Sequence, residues 1–277
     1  MHYRLINHTK NAVTQQYLVD LYEMNNGSAE TIYVCAPTGG IGITIVLSGQ
    51  TEILMNGNWE TTAPYTVYGL IRKAQSIKMV GNYREITIGF KPQVLQLLLN
   101  ERLSDLPIDA ATDLYDVLDR KKIDPLVERL QAATIDEQIV DVVAAFILDT
   151  IQAHSADVRV EEAYRLITTA GISNIEQVSD RLAISSAALR MLFRDKLGVS
   201  PKELVQFSRI KRALNHRVED VGNLTSIGYE SDFYDQSHFI RDFKKTIGIV
   251  PKQYYKNKNL TFDFYNFGRW RSGSFES

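Results

Sequence analysis

Two stretches of this chain, fifty residues apart, carry one pattern twice, and that repeat limits the possible fold more than any other feature. The later stretch, Phe233 to Tyr254, reads FYDQSHFIRDFKKTIGIVPKQY; the earlier, Ser185 to Leu204, reads SSAALRMLFRDKLGVSPKEL. Laid on each other they pair Leu189 with Phe239, Phe193 with Phe243, Leu197 with Ile247, Gly198 with Gly248 and Pro201 with Pro251. Apolar residues at every fourth position make one buried helix face. The glycine can take the left-handed conformation that closes a helix, and the proline beyond it prevents continuation. Repeated packing positions with a repeated stop imply a repeated unit. Each copy follows a shorter helical pattern, Ile175 to Leu182 and Leu224 to Glu230. Helix, tight turn, helix is the unit whose second helix enters the major groove of DNA. Two such units in one chain do what a dimer usually does.

The faces opposite the apolar rows are polar and cationic. In the first unit Ser186, Ala187, Arg190, Met191 and Arg194 are expected to face DNA. In the second the same role falls to Gln236, Ser237, His238, Arg241, Lys244 and Lys245. Arg190 is the best base reader of the set, since a guanidinium takes guanine O6 and N7 together. His238 has a second reading, as the residue that holds the helix start. Ser185 is expected to cap the first recognition helix and Asp235 the second. Ser208 to Arg217 is expected to join the units as a helix, with Ile210, Ala213 and Leu214 inward. Its cations would hold phosphate or water and add little to sequence choice.

The string Asp235, Gln236, Ser237, His238, Phe239, Arg241, Phe243, Lys244, Gly248, Pro251, Gln253 and Tyr254 resembles the most repeated signature of the AraC/XylS transcriptional regulators. The likeness to that family's DNA-binding domain runs over roughly Ile172 to Tyr255. It implies a double helix-turn-helix domain, an N-terminal domain that binds an effector or a second subunit, and often a helix that pairs two subunits. The second unit departs from the family, with Gly228-Tyr229-Glu230-Ser231-Asp232-Phe233 where most members have Ala-x-x-x-Gly-Phe. Asp232 then stands where positive φ is needed, which Asp tolerates less well than Gly. Gly228 weakens its helix by about 1 kcal/mol relative to Ala. A less rigid second unit is the expectation.

From Met1 to roughly Phe90 the chain reads as β-structure, with runs at Thr31–Cys35, Ile41–Leu47, Thr51–Met55, Tyr65–Ile71 and Glu85–Phe90. Turn signals separate them at Pro37 to Gly40, Ser48-Gly49, Asn56-Gly57 and Gly81-Asn82. Many short strands at close spacing predict a small cupin-like β-barrel, so the fold class is α+β followed by an all-α domain. A barrel of this size can enclose one ligand. Trp59, Tyr65, Tyr68, Arg72 and Arg84 are the candidate effector-binding residues, although core aromatics and solvated arginines explain them as well. The five histidines, His2, His8, His154, His216 and His238, lie outside the strand runs, and no HxH, HExxH, CxxC or GxGxxG pattern occurs. Neither a metal site nor a cofactor is expected.

Helical signals follow from Lys91: one helix through Val94, Leu95, Leu98 and Leu99, a second opened by Pro125, and a third from Asp136 to Ile151. The third carries a broad stripe of Ile139, Val143, Phe146 and Thr150 with Val140 and Ile147 beside it. Packing against the barrel and pairing in a homodimer both account for it. The polar run His154 to Val158 is the domain boundary, giving a sensor or dimerisation domain over residues 1–155 and a DNA-binding domain over 156–257. An aromatic-rich tail over 258–277 is expected to pack on the sensor domain or to form an edge strand. Residues 1 to 156 hold 12 Lys and Arg against 18 Asp and Glu, a net −6; the remainder holds 19 against 15, a net +4. An acidic front half and a basic back half suit a sensor joined to a polyanion binder.

Cys35 is the one cysteine, and its bland reading is a small buried hydrophobe. With neither a signal peptide nor a long apolar run, the cytoplasm is the expected compartment and no membrane the expected partner. The function expected is a non-enzymatic, sequence-specific DNA-binding transcription regulator, with double-stranded DNA as partner and a small-molecule effector possible. The rival is a small-molecule-binding or enzymatic β-barrel whose C-terminal helices dimerise it. A DNA-repair fusion with Cys35 as methyl acceptor lacks the expected Pro-Cys-His-Arg surroundings.

Overall fold

A computed structural model describes residues 2–27, 30–35, 41–69, 71–91, 94, 97, 109–151, 157–214, 216 and 224–256. An antiparallel sheet comes first and an all-helical region last, the α+β class expected. Among the described residues the sheet has eight strands: β1 (His2–Leu5), β2 (Leu18–Asn26), β3 (Thr31–Cys35), β4 (Ile41–Met55), β5 (Asn58–Thr61), β6 (Tyr65–Tyr68), β7 (Gln75–Phe90) and β8 (Ala111–Asp113). A short helix α1 (Ala12–Tyr17), capped by the Asn11 side chain, stands between β1 and β2. The main path runs β1-β2-β7-β4-β6-β8, with β3 added to β7 and β5 to β4.

The long strands β4 and β7 form the spine, and two glycine-bearing sites bend them. Ser48-Gly49 and Gly81-Asn82, expected as turns, instead lie inside these strands where the β4–β7 register shifts. Gly49 has φ +78° and Gly81 φ +80°. A glycine at positive φ makes a bulge when strand continues on both sides, and a bulge bends the strand. The pairing that follows decides between bulge and turn, and that pairing is not local. At Asn56-Gly57 it is local: φ is 51° and 86°, and Met55 pairs with Asn58. This is the two-residue hairpin turn expected from the sequence.

Alternation along β7 sorts its side chains onto two faces. Ile86, Ile88 and Phe90 join the main core with Ile43, Ile45 and the helices. Tyr83 packs on the other face with Tyr22, Met24, Tyr33 and Cys35.

Two helices cover the first face, α2 (Arg120–Ala132) and α3 (Asp136–Thr150). The sequence placed the start of α2 at Pro125. It starts five residues earlier, at Arg120, where Asp119 caps it by accepting from the Lys121 amide at 2.9 Å, so Pro125 lies inside the helix. In α3 every residue of the expected dimerisation stripe, Ile139, Val140, Val143, Phe146, Ile147 and Thr150, is buried within the subunit. Packing inside the subunit accounts for that stripe. Of the earlier expected helix only Val94 and Leu97 are described, both helical and Val94 buried. Leu95, Leu98 and Leu99, the turn at 37–40, the boundary residues 154–156 and the aromatic tail lie outside the described residues.

The C-terminal helices are α4 (Val158–Thr168), α5 (Ile175–Arg181), α6 (Ser186–Leu197), α7 (Pro201–Leu214), α8 (Leu224–Glu230), α9 (Gln236–Ile247) and α10 (Pro251–Lys256). The joining helix α7 begins at Pro201, seven residues before its expected start. Ser200 and Glu203 box its N-terminus reciprocally, at 2.8 and 3.2 Å, with Pro201 in the first turn where its missing N–H costs nothing. No helix among the described residues is long and apolar enough to cross a membrane.

Candidate nucleic-acid interface and sensor cavity

The first unit is α5 and α6. Ser185 caps α6, its hydroxyl accepting from the Ala188 amide at 3.1 Å, and Gly198 ends it at φ 67°. Leu189, Phe193 and Leu197 are buried. The opposite face carries Ala187, Arg190, Met191 and Arg194, all exposed, with Met191 at 73 %. Ser186 is half-buried, and its hydroxyl lies 3.1 Å from that of Ser179 on α5. Its position ties the two helices together, a role its place in the sequence did not reveal.

The second unit is α8 and α9. Asp235 caps α9 by accepting from the His238 amide at 2.7 Å, as expected, and Gly248 closes it at φ 89°. Gln236, Ser237, Arg241, Lys244 and Lys245 are exposed along one side, while Phe239, Phe243 and Ile247 are buried. His238 is half-buried, edge-on to Phe233 at 5.5 Å, with Nε2 3.1 Å from the Asp242 carboxylate. Both contacts hold the start of α9.

The two turns differ in length. The first passes from Arg181 to the cap at Ser185, the second from Glu230 to the cap at Asp235, one residue longer. Tyr234, in that longer turn, is 85 % exposed beside the helix start. Tyr234 is not among the DNA-facing residues expected from the sequence. Asp232 has φ 67°, as its position demanded. Its carboxylate accepts from Ser173 Oγ ahead of α5, and from Arg209 Nε and an Arg209 terminal nitrogen on α7, both at 3.3 Å. A glycine there would satisfy the backbone but could not tie the second turn to the first unit and the joining helix.

Of the five candidate effector residues, only Tyr68 lines the cavity on the sheet's inner face. Trp59 lies under the Lys78 ammonium, 4.7 Å from the ring centroid. Tyr65 is edge-on to Tyr115 at 5.7 Å on the other face. Arg84 also points away from the cavity, donating to Glu23 at 2.8 Å and to the Ala133 carbonyl at 3.1 Å. Arg72 faces the helical region. The cavity measures about 70 Å³, and its wall includes Tyr22, Tyr33, Thr44, Thr66, Gln75 and, unanticipated, Glu85. Glu85 is 2 % exposed; Tyr83 donates to one of its oxygens and Thr87 to the other at 3.4 Å. Burial pushes its carboxyl up to about 7. The signal was legible in Tyr83-Arg84-Glu85-Ile86-Thr87-Ile88, where strict alternation sets an acid on the face opposite two isoleucines. Cys35 lines the same cavity, buried, its thiol pushed up to about 12 by burial. Such a thiol is protonated and inert at neutral pH. No group of His, Cys, Asp and Glu suited to a metal occurs among the described residues.

Residues 178–257 match the family described as a helix-turn-helix domain. That match begins inside α5 and runs through the rest of both units just described. The C-terminal domain is of the AraC/XylS type. No curated protein matches the chain in sequence. Among solved structures, ToxT from Vibrio cholerae in its P21 form is 15 % identical over 85 % of this chain and 96 % of that one, with a TM-score of 0.44. ToxT from Vibrio cholerae O395 bound to (E)-4-(8-methylnaphthalen-1-yl)but-3-enoic acid is 14 % identical over 92 % and 99 %, with a TM-score of 0.45. The AraC-like transcriptional activator CuxR is 19 % identical over 70 % and 76 %, with a TM-score of 0.29.

The AraC/XylS-type domain docks on the sheet at the 71–75 segment. The Ala74 amide donates to the Thr246 carbonyl at 3.0 Å, near the C-terminus of α9. Arg72 Nε lies 3.1 Å from a Glu203 oxygen, an ion pair without hydrogen-bond alignment. Val34 on β3 packs against the core of the second unit. On its other side the segment is held by Asp109, whose carboxylate accepts from the Arg72 amide and from the Lys73 amide at 3.2 Å. Ile71 and Gln75 at its two ends line the cavity.

Proposed function

We propose that this protein is a sequence-specific regulator of transcription. In this reading α6 and α9 enter successive major-groove segments on one face of a duplex, about one helical turn (~34 Å) apart. Arg190 reads a base in the first segment. Gln236, Ser237 and Arg241 face the second, and Arg194, Lys244 and Lys245 hold phosphate. Residues 156–257 make up the DNA-binding part, and residues 1–155 bind a small-molecule effector or a second subunit. Ser186 and His238 act from behind, fixing the helices that carry the readers.

One observation supports this most: two capped helices each bury a hydrophobic row and expose the face on which the candidate readers stand. Selection of bound duplexes from a random pool, followed by salt titration, tests it. The expected result is an enriched motif in two boxes about one helical turn apart, with log affinity falling linearly as log salt rises. Enrichment of no motif, or binding insensitive to salt, overturns the reading.

A further inference from the structure

The cavity on the inner face of the sheet is built around an acid that has no basic partner among the described residues. Its lining combines Glu85 with tyrosine and threonine hydroxyls and one amide, Gln75, and no Lys, Arg or His belongs to it among the described residues. The titratable groups that share it with Glu85 are Tyr22, Tyr33, Cys35 and Tyr68, with Tyr83 donating from the same strand. All of these are neutral when protonated, so nothing in the wall balances a charge on Glu85. We infer that this cavity binds a small ligand bearing a protonated amine, seated on the Glu85 carboxylate between the tyrosine rings.

Three features support a cation over other ligands. A buried carboxylate favours a cation and repels an anion, and with no cation in the wall a carboxylate or phosphate ligand would enter uncompensated. Aromatic faces add attraction for an ammonium. The room, about 70 Å³, holds about five water-sized groups, the bulk of a short alkylamine. Binding has a proton consequence. Below neutral pH the empty site holds Glu85 protonated, because burial raises it to about 7. The amine arrives already as ammonium, so seating it releases the Glu85 proton to the buffer.

The inference rests on the proposed effector role only for its consequence at DNA; the binding event can be tested alone. The full-length protein is titrated by calorimetry at pH 6 with n-butylammonium, n-butanol and butyrate, matched in size, in two buffers of different ionisation enthalpy. The expected result is binding of n-butylammonium with release of close to one proton, and affinity at least about tenfold weaker for the alcohol and the acid. Glu85→Gln loses the n-butylammonium preference, and Glu60→Gln, at an exposed acid outside the cavity, retains it. Equal binding of all three probes, tighter binding of butyrate, binding without proton release or no binding of n-butylammonium overturns the inference. If Glu85→Gln does not fold, the three probes and the proton count on the unaltered protein still decide. The duplex selection is run on the same preparation without amine. Failure there sinks the regulator reading and leaves the amine result standing.

Discussion

Arg190 and Glu85 show how differently a charge behaves at the surface and in the interior. Arg190 is exposed on α6, so replacing it with Ala removes no packing. The expected cost is roughly 1–3 kcal/mol on the cognate duplex, with relaxed choice at one base pair. Equal loss on every sequence in a competition assay would make Arg190 a phosphate contact instead. Glu85 is a stability matter. Its folded carboxyl sits near 7, against 4.5 as the ordinary value. An acid raised on folding favours the protonated native state, so its cost is absent below about pH 4.5 and complete above about pH 7. Across that window the protein should lose about 3 kcal/mol through this group. Asp20, also raised by burial, pulls the same way, and His8, lowered by burial, pulls the opposite way. The difference between the unaltered protein and Glu85→Gln isolates the Glu85 share. Chemical denaturation at pH 5 and pH 8 should show the variant gaining stability relative to the unaltered protein at the higher pH. A constant difference would mean that Glu85 does not titrate in this range.

At the scale of elements, the recognition helices stand on their caps and on what ties their turns. Asp235→Ala removes the acceptor for the His238 amide and should cost about 1 kcal/mol by urea denaturation. Asp232 poses a sharper question, because its strained φ favours Gly while its carboxylate bonds favour Asp. Asp232→Asn keeps tolerance of positive φ but loses the charge facing Arg209 and Arg212. The pairs are more than a third exposed on the Asp232 side, so the loss of stability should stay below about 1 kcal/mol. The larger effect is expected in the duplex assay, as looser selection at the second box. Undiminished selection there would show that the turn is positioned without the carboxylate. The expectation of a less rigid second unit came from local readings, the φ demanded of Asp232 and the low helix propensity of Gly228. Ser173, Arg209 and Arg212 are distant in the chain, so no local rule could have supplied the ties.

For the whole molecule, the important contact is the seam where segment 71–75 lies between the cavity and the DNA-binding domain. The Ala74 amide is protected by the Thr246 carbonyl of the other domain, whereas the Ile86 amide lies in the β2–β7–β4 ladder. Val34→Asp sets a charge against the aromatic core of the second unit, and should open the seam without melting the sheet. Hydrogen exchange should then show Ala74 losing protection while Ile86 keeps it. Loss at both positions would mean that the domains do not separate as units.

The sequence by itself determined the repeat, the Ser185 and Asp235 caps, the Asn56-Gly57 hairpin and most of the exposed faces of α6 and α9. Each depends on residues within a few positions of one another, where periodicity and capping chemistry act. Tertiary structure decided the rest. Gly49 and Gly81 became bulges because their strands pair across the sheet. The α3 stripe was buried because α1 and α2 lie on it. Arg84 and Tyr65 turned away from the cavity while Glu85 turned in, because strand pairing fixes which of two alternating faces is enclosed. Burial then sets the chemistry of the enclosed acid, and no window of sequence records what will surround it.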